Sequence, residues 1–499
     1  LAGNFQVGWS TADITPDGPV LLCGQFPARV SEGVRDPVTA TALAMESGEG
    51  SSSKKSILIS CDLVAIPDDM DDPGNNLRDK VRELVVASLP EIRPEEIILN
   101  ATHTHTAPEC SSADDAKSIY GVELEAMAPS AYQQFAAGQI AKAAERAWHS
   151  RQPAGISFGL GHAVVGHNRL VVDAEGYSRM YGHTDDPSFS HLEGYEDHTV
   201  HMLCTWDGTR QLTGVVINVA CPSQSTENDY LLSADFWHDT RLLLHQRLGE
   251  EVYVLPQCSA AGDQSPHILV GARGEERMQR LMNPEGTETG SQKMGRRKQV
   301  ALSIADAVTS VLPYIEDTID WDPAFDHRMQ CMELSRRLIG TEDVSQAIRE
   351  AERWEARYNE LLQEVAEHPE TKEQPRWYGE ITETYRQMTR GQSVLERFEL
   401  EKVQPKLPVE VHVLRIGDIV MATNPFELYL DYGIRMKARS PAVQTFVVQL
   451  AGRGTYLPTG RSVAGGAYGA VPASTVIGPE GGDELVEGTL EMIDEIWQN

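Results

Sequence analysis

Four segments of this 499-residue chain share one shape, an apolar run that gives way to small and polar residues. They are "IILNATHTHTAPE", "VVINVACPSQSTE", "VYVLPQCSAAGDQSP" and "IVMATNPFELYLD". Short apolar runs bounded by turn residues read as buried strands. Helical spacing lies between them, in "NNLRDKVRELVVASLP", "PSAYQQFAAGQIAKAAERAW" and "ADFWHDTRLLLHQRLG". The expected fold class is therefore α/β, and α/β folds place ligands at the ends of their strands. Strand ends that converge would bring His103, His105, Cys221, Ser259, Asp263, Ser265 and Glu427 to one rim.

The histidines of "THTHT" carry most of the chemistry. An H-x-H on a strand puts both imidazoles on the same face, because strand side chains alternate. Two such rings either share a cation or divide the work, one binding and one meeting substrate; a hydrogen-bonded pair that closes the strand is the structural alternative. Taken singly, Glu427 also reads as a helix-start carboxylate, Asp263 as an Asx-turn residue and Ser265 as a turn residue before Pro266. Their shared position at strand ends raises all three.

Composition narrows the partners. Against 43 Lys and Arg stand 74 Asp and Glu, a formal charge of −31, which repels phosphate backbones and anionic bilayers and argues against nucleic acid. No apolar run is long enough to span a membrane, so a soluble chain is expected. Seven widely spaced cysteines without a C-x-x-C pair argue against a disulfide framework and favour a reducing, cytoplasmic compartment. The chain begins at Leu, which leaves a removed signal peptide, and with it a secreted or periplasmic location, open.

Residues 328–407 differ from the rest. Stretches such as "SQAIREAERWEARYNELLQEVAEH" combine high charge with apolar i, i+3, i+4 spacing, which predicts amphipathic helices packed as a hairpin. The expected organisation is a catalytic domain from 1–327 and 408–499 with a charged helical insertion at 328–407. The loop from Asp173 to His198 is too long for a plain connection and rich in Tyr181, His183, Asp185, Asp186, His191 and Tyr195. It is expected to border a site.

"VGWSTADITP", "GVRDPVTATALAM" with "SILISCDLVAI", "THTHTAPE", "GHNR", "VACPSQ", "SAAGDQSP", "NPFELYLDYGIRMK", "GTYLPTG" and "AYGAVPASTVIGPEGG" occur in the order found in the neutral/alkaline ceramidase superfamily, which the chain resembles outside the charged helices. The resemblance implies a mixed-sheet metallohydrolase-like domain. It implies a zinc cofactor held by His103, Cys221, Glu427 and Tyr456, where Cys221 stands in place of a histidine. Thiolate is itself a good zinc ligand; a lost site, or one rebuilt with Asp235 or His238, is the alternative. The same carry-over puts His105 in the role of proton carrier, Arg169 and Tyr468 at the oxyanion, and Ser265, beside Asp263, in the G-D-x-S-P element.

Two departures move the substrate away from membrane ceramide. The resemblance stops at "EMIDEIWQN" without the C-terminal immunoglobulin-like domain common in ceramidases, and the acidic chain lacks a lipid-facing module. The leading expectation is a zinc-dependent hydrolase of an amide or ester in a polar small molecule or oligosaccharide. A carbohydrate-active hydrolase or lyase using His, Tyr and carboxylate proton transfer is the second. A non-catalytic binding protein with a decayed metal site is the third. No G-x-S-x-G follows a predicted strand, so the nucleophile-elbow hydrolase fold is not expected.

Overall fold

The computed structural model describes residues 4–68, 74–283 and 291–498. Two mixed sheets stack face to face, and helices cover both outer faces. The larger sheet has eight strands in the order Tyr253–Cys258, Leu212–Val219, Thr199–Asp207, Gln152–His162, Phe5–Asp13, Thr39–Ser47, Lys54–Cys61 and Ile97–Ala101. Its first and last pairs are parallel and the others antiparallel. Only two residue pairs join its two halves, Gln6 with Pro153 and Val7 with Gln152. The sheet curls from there until its edges return to each other, where Asn100 Nδ2 donates to the Pro256 carbonyl at 3.4 Å.

The second sheet has four strands, Phe325–Ser335, Lys406–Ile416, Ile419–Thr423 and Gln444–Val448. Period-two alternation builds the layers. Leu43, Leu58, Ile98 and Val216 of the large sheet pack against Leu414, Ile419, Met421 and Phe446 of the small one. Their neighbours point the other way: Ile57 and Ile59 meet the helices Leu77–Ser88 and Pro129–His149. Val215 and Ile217 meet Phe236–Leu248 and Ser291–Ile315. Val420 and Ala422 meet Leu430–Arg439 and Pro479–Trp497. The α/β expectation holds, as a four-layer α/β/β/α stack.

The charged stretch divides. Its ends are strand, paired antiparallel in one register from Phe325–Ile416 to Ser335–Lys406, and between them rises a hairpin of two helices, Thr341–Glu367 and Gly379–Val403. The hairpin leaves and rejoins the sheet at the neighbouring ends of two paired strands. The hairpin also folds back onto the body: Tyr358 OH donates to the Gly121 carbonyl at 2.8 Å, and Thr382 Oγ1 accepts Ala28 N–H at 2.9 Å. Leu361, Tyr378 and Ile381 are buried there with Leu21, Ala28 and Tyr120. Among the described residues no helix is long and apolar enough to cross a membrane.

Candidate active site

The four strand ends do converge, on the rim where the parallel strand pairs finish. The histidines, however, are not on a strand. Ile97–Ala101 ends before them, and His103 takes a left-handed backbone with φ 65°, a conformation a non-glycine residue adopts at a cost of order 1–3 kcal/mol. A turn, not the pleat, brings the two rings together, 4.8 Å between centroids and 70° between planes. Gly24, with φ +103°, lies so close that a Cβ there would fall 2.5 Å from His105 Cγ.

Hydrogen-bond partners fix the ring protons. His103 Nδ1 is 2.7 Å from the Val64 carbonyl, which only accepts, so Nδ1 carries a proton and Nε2 is the nitrogen that faces the site. Gln224 Oε1 faces Arg169 Nη1 at 3.4 Å, and a guanidinium only donates. The Gln224 amide nitrogen therefore donates to His105 Nε2 at 2.8 Å. Burial pushes His105 well below its ordinary pKa, with the neighbouring His103, Arg29 and Arg169 adding to the effect, so its ring is neutral and its proton sits on Nδ1. That side faces Glu227, 3.7 Å away. The two Nε2 atoms are 3.3 Å apart, and the one lone pair of His105 Nε2 accepts from Gln224. Glu427 Oε2 is 3.5 Å from His103 Nε2.

Glu427 pairs with Tyr456 in a short parallel bridge, which sets the two side chains next to each other. Burial works against the charge on Glu427, but His103, Arg169 and Tyr456 outweigh it and hold the carboxylate below its usual range. Arg169 is buried and donates to the Gly262 carbonyl at 2.8 Å, Tyr181 OH at 3.1 Å and Tyr456 OH at 3.3 Å. The Tyr468 ring meets Tyr456 edge-on at 5.9 Å. His103, Glu427, Tyr456 and Tyr468 line one end of a cavity of about 540 Å³.

Cys221 does not join them. Its thiol is fully buried among Val165, Val219, Phe236 and Trp237, 3.4 Å from the Val165 carbonyl, and burial pushes its pKa well up. Residue 221 ends an apolar strand, and that core claims its side chain. Asp235, the alternative, is occupied in capping the helix Phe236–Leu248 and binding Thr226 N–H and Oγ1, each at 2.7 Å. His238 begins that helix, its N–H bonded to the Asp235 carbonyl. Among the described residues no group of three His, Cys, Asp or Glu is placed to hold a metal ion. What remains is one imidazole, one carboxylate and one phenol, with the second imidazole facing them.

Asp263 and Ser265 are buried behind Arg169. Asp263 accepts Leu430 N–H at 2.9 Å and Asn168 Nδ2 at 3.1 Å, its carbonyl accepts Arg169 N–H at 3.0 Å, and burial pushes its carboxyl up to about 6. Ser265 bonds Tyr181 OH at 3.2 Å. The long polar loop is a small three-stranded sheet, Leu170–Asp173, Ser178–Met180 and Phe189–Leu192, and of its expected polar rim Tyr181 alone touches these residues. His183 and Asp185 stand out in solvent.

Five participants escaped the sequence reading. Gln224 and Glu227 follow Cys221 in the quoted stretch. Gln25 Nε2 lies 3.4 Å from Glu227, and His267 Nε2 lies 3.3 Å from it. Arg29, fully buried, ties these loops together by donating to the carbonyls of Cys23, His105, Glu227 and Asp229.

No protein-family model and no curated protein matches the chain. Solved structures do. Neutral ceramidase from Pseudomonas aeruginosa superposes with a TM-score of 0.68 at 16% identity, covering 100% of this chain and 75% of that one. The fold is that of neutral ceramidase. A ceramidase complexed with C2 gives a TM-score of 0.66 at 15% identity, over 100% of this chain and 76% of that one. Both matches cover 100% of this chain.

Proposed function

We propose that the chain is a hydrolase of the neutral ceramidase type, cleaving an amide or ester in a polar substrate. The observation that carries this reading is the meeting of His103 Nε2 with Glu427 Oε2 at 3.5 Å and with His105 Nε2 at 3.3 Å, beside the Tyr456 phenol. An imidazole nitrogen that faces a carboxylate shares a proton or a cation with it. His103, Glu427 and Tyr456 match the three protein donors of a catalytic zinc site, and the His103 Nδ1 bond to a backbone carbonyl is the outer support such ligands have. A zinc ion bound there supplies Lewis-acid polarisation of a carbonyl and a lowered pKa for water.

The chain's own groups supply the rest. His105, neutral and oriented by Gln224, exchanges that hydrogen bond for a proton at Nε2 and delivers the proton to the leaving group; Glu227 on its far side stabilises the charged ring. Arg169 donates toward charge that develops on the carbonyl oxygen, from a buried position where such bonds are strong. Tyr468 covers the opposite wall. A panel of N-acyl and O-acyl sugars and amino acids, assayed with and without zinc, tests the reading. Turnover that Glu427→Gln reduces at least a hundredfold is expected; no turnover of either bond class contradicts it.

One observation favours a second reading. Arg169 Nη2 stands 3.9 Å from Glu427 and already supplies a fixed positive charge there. A carbohydrate-active hydrolase or lyase could then run on His105 and Tyr456 proton transfer alone. Activity that survives exhaustive chelation would select it.

A further inference from the structure

The cavity has a second end, and its chemistry is different. One face of the hairpin helix Gly379–Val403 lines it with Arg386, Arg390, Ser393 and Arg397, spaced i, i+4, i+7 and i+11 so that all four look the same way. In a chain of net charge −31 this is a local reversal of sign. None of these three arginines forms an ion pair with a carboxylate among the described residues. Arg390 donates to Ser474 Oγ at 2.6 Å and Arg397 to the Pro472 carbonyl at 2.9 Å, while Arg386 reaches only the face of Tyr120, 5.7 Å from its centroid. Burial opposes the charge on Arg397, and Arg390 opposes it further.

The carboxylates on the cavity wall, Glu109 and Glu427, make no ion pair with these arginines among the described residues, and partly buried cations that repel one another without a paired counter-ion are costly to maintain. They become favourable when an anion enters, because guanidinium groups bind planar and tetrahedral oxyanions through paired donors. The other end of the cavity is near. Arg390 lies over the Tyr468 ring at 4.8 Å, and Tyr468 in turn touches Tyr456, so one ring separates the arginine from the reacting end. A cavity of about 540 Å³ suits one small molecule or the terminal unit of a chain.

We infer that the substrate carries an oxyanion, a carboxylate, sulfate or phosphate, which Arg386 and Arg390 of the helical hairpin hold while the scissile bond lies at Glu427 and Tyr456. The position of the scissile bond rests on the hydrolase reading; the anion site does not. The inserted hairpin is accordingly a specificity element. A neutral sphingolipid amide has no group for this arm, whereas an acidic sugar or an N-acyl amino acid has.

Binding of sodium sulfate, sodium phosphate and sodium glucuronate to the full chain, measured by calorimetry with glucose as the neutral control, tests this without turnover. Binding of at least one anion, weakened tenfold or more in Arg386→Gln and further in the double variant with Arg390→Gln, is expected, and the strongest probe tells the three oxyanions apart. Among the described residues Arg386 has no side-chain hydrogen bond to the body, so its single variant keeps the fold even if the double one does not. Equal affinity for wild type and Arg386→Gln, or no anion binding at all, overturns the inference. Anion binding without cleavage of any amide or ester overturns the hydrolase reading alone.

Discussion

Gln224 Nε2 lies 2.8 Å from His105 Nε2 and reads as its hydrogen-bond donor, because Arg169 occupies the amide oxygen. One uncharged side chain thus couples the Arg169 guanidinium to the tautomer of His105.

Replacing the donor by an acceptor tests that coupling. Gln224→Glu places a carboxylate against His105, favours the imidazolium, and raises a pKa that burial now holds well below the ordinary value. The acid limb of the pH–rate profile moves to higher pH and activity near pH 6 falls at least tenfold. An unshifted limb would mean that His105 carries no proton in turnover.

Cys221 serves the core and not the chemistry. Cys221→Ala costs about 1–2 kcal/mol in chemical denaturation by removing one buried heavy atom, and leaves kcat/KM within twofold. A loss of activity larger than the loss of stability explains would return the thiol to the site.

Gly24 holds the space that His105 needs. Gly24→Ala meets the ring at 2.5 Å and a φ of +103°, so the imidazole shifts. The expected result is a loss of about 1–2 kcal/mol in stability together with a fall in kcat of about a hundredfold from misplacement of the proton carrier. Unchanged kcat would place His105 outside the reaction.

Asp263 predicts the pH dependence of stability. Its folded carboxyl titrates at about 6, above the roughly 3.9 of an unfolded chain. Between those values the folded state binds more protons than the unfolded one, so stability falls as pH rises through this window. The two-unit difference corresponds to about 3 kcal/mol. Asp263→Asn flattens the denaturation midpoint against pH between 4 and 6; a slope equal to wild type assigns the dependence elsewhere.

What the sequence made legible follows from how the information is stored. Strands such as Ile97–Ala101 and Ile419–Thr423 announce themselves by local apolar runs, and their polar ends lead to the rim where His103 and Glu427 meet. The left-handed turn at His103 has no local mark, so a strand geometry was expected where a turn does the work. Gln224 and Glu227 sit in a turn with no periodicity, and their importance arises from Arg29 and Arg169, far away in the chain. Cys221 was drawn to the site by its alignment with a ligand position, but one residue at the end of an apolar strand is turned inward as readily as outward. The hairpin was visible from its spacing. Its arginine face was not, because every face of that helix carries charge and only the docking of Tyr358 and Thr382 decides which one lines the cavity.

The central claim is that His103, Glu427 and Tyr456 hold one cation while Cys221 stands apart. Zinc titration of chelator-treated protein tests it most directly. The account predicts one zinc bound per chain by wild type and by Cys221→Ala, and none by His103→Ala or Glu427→Gln. A wild type that binds no zinc, or a Cys221→Ala variant that loses it, would contradict the account.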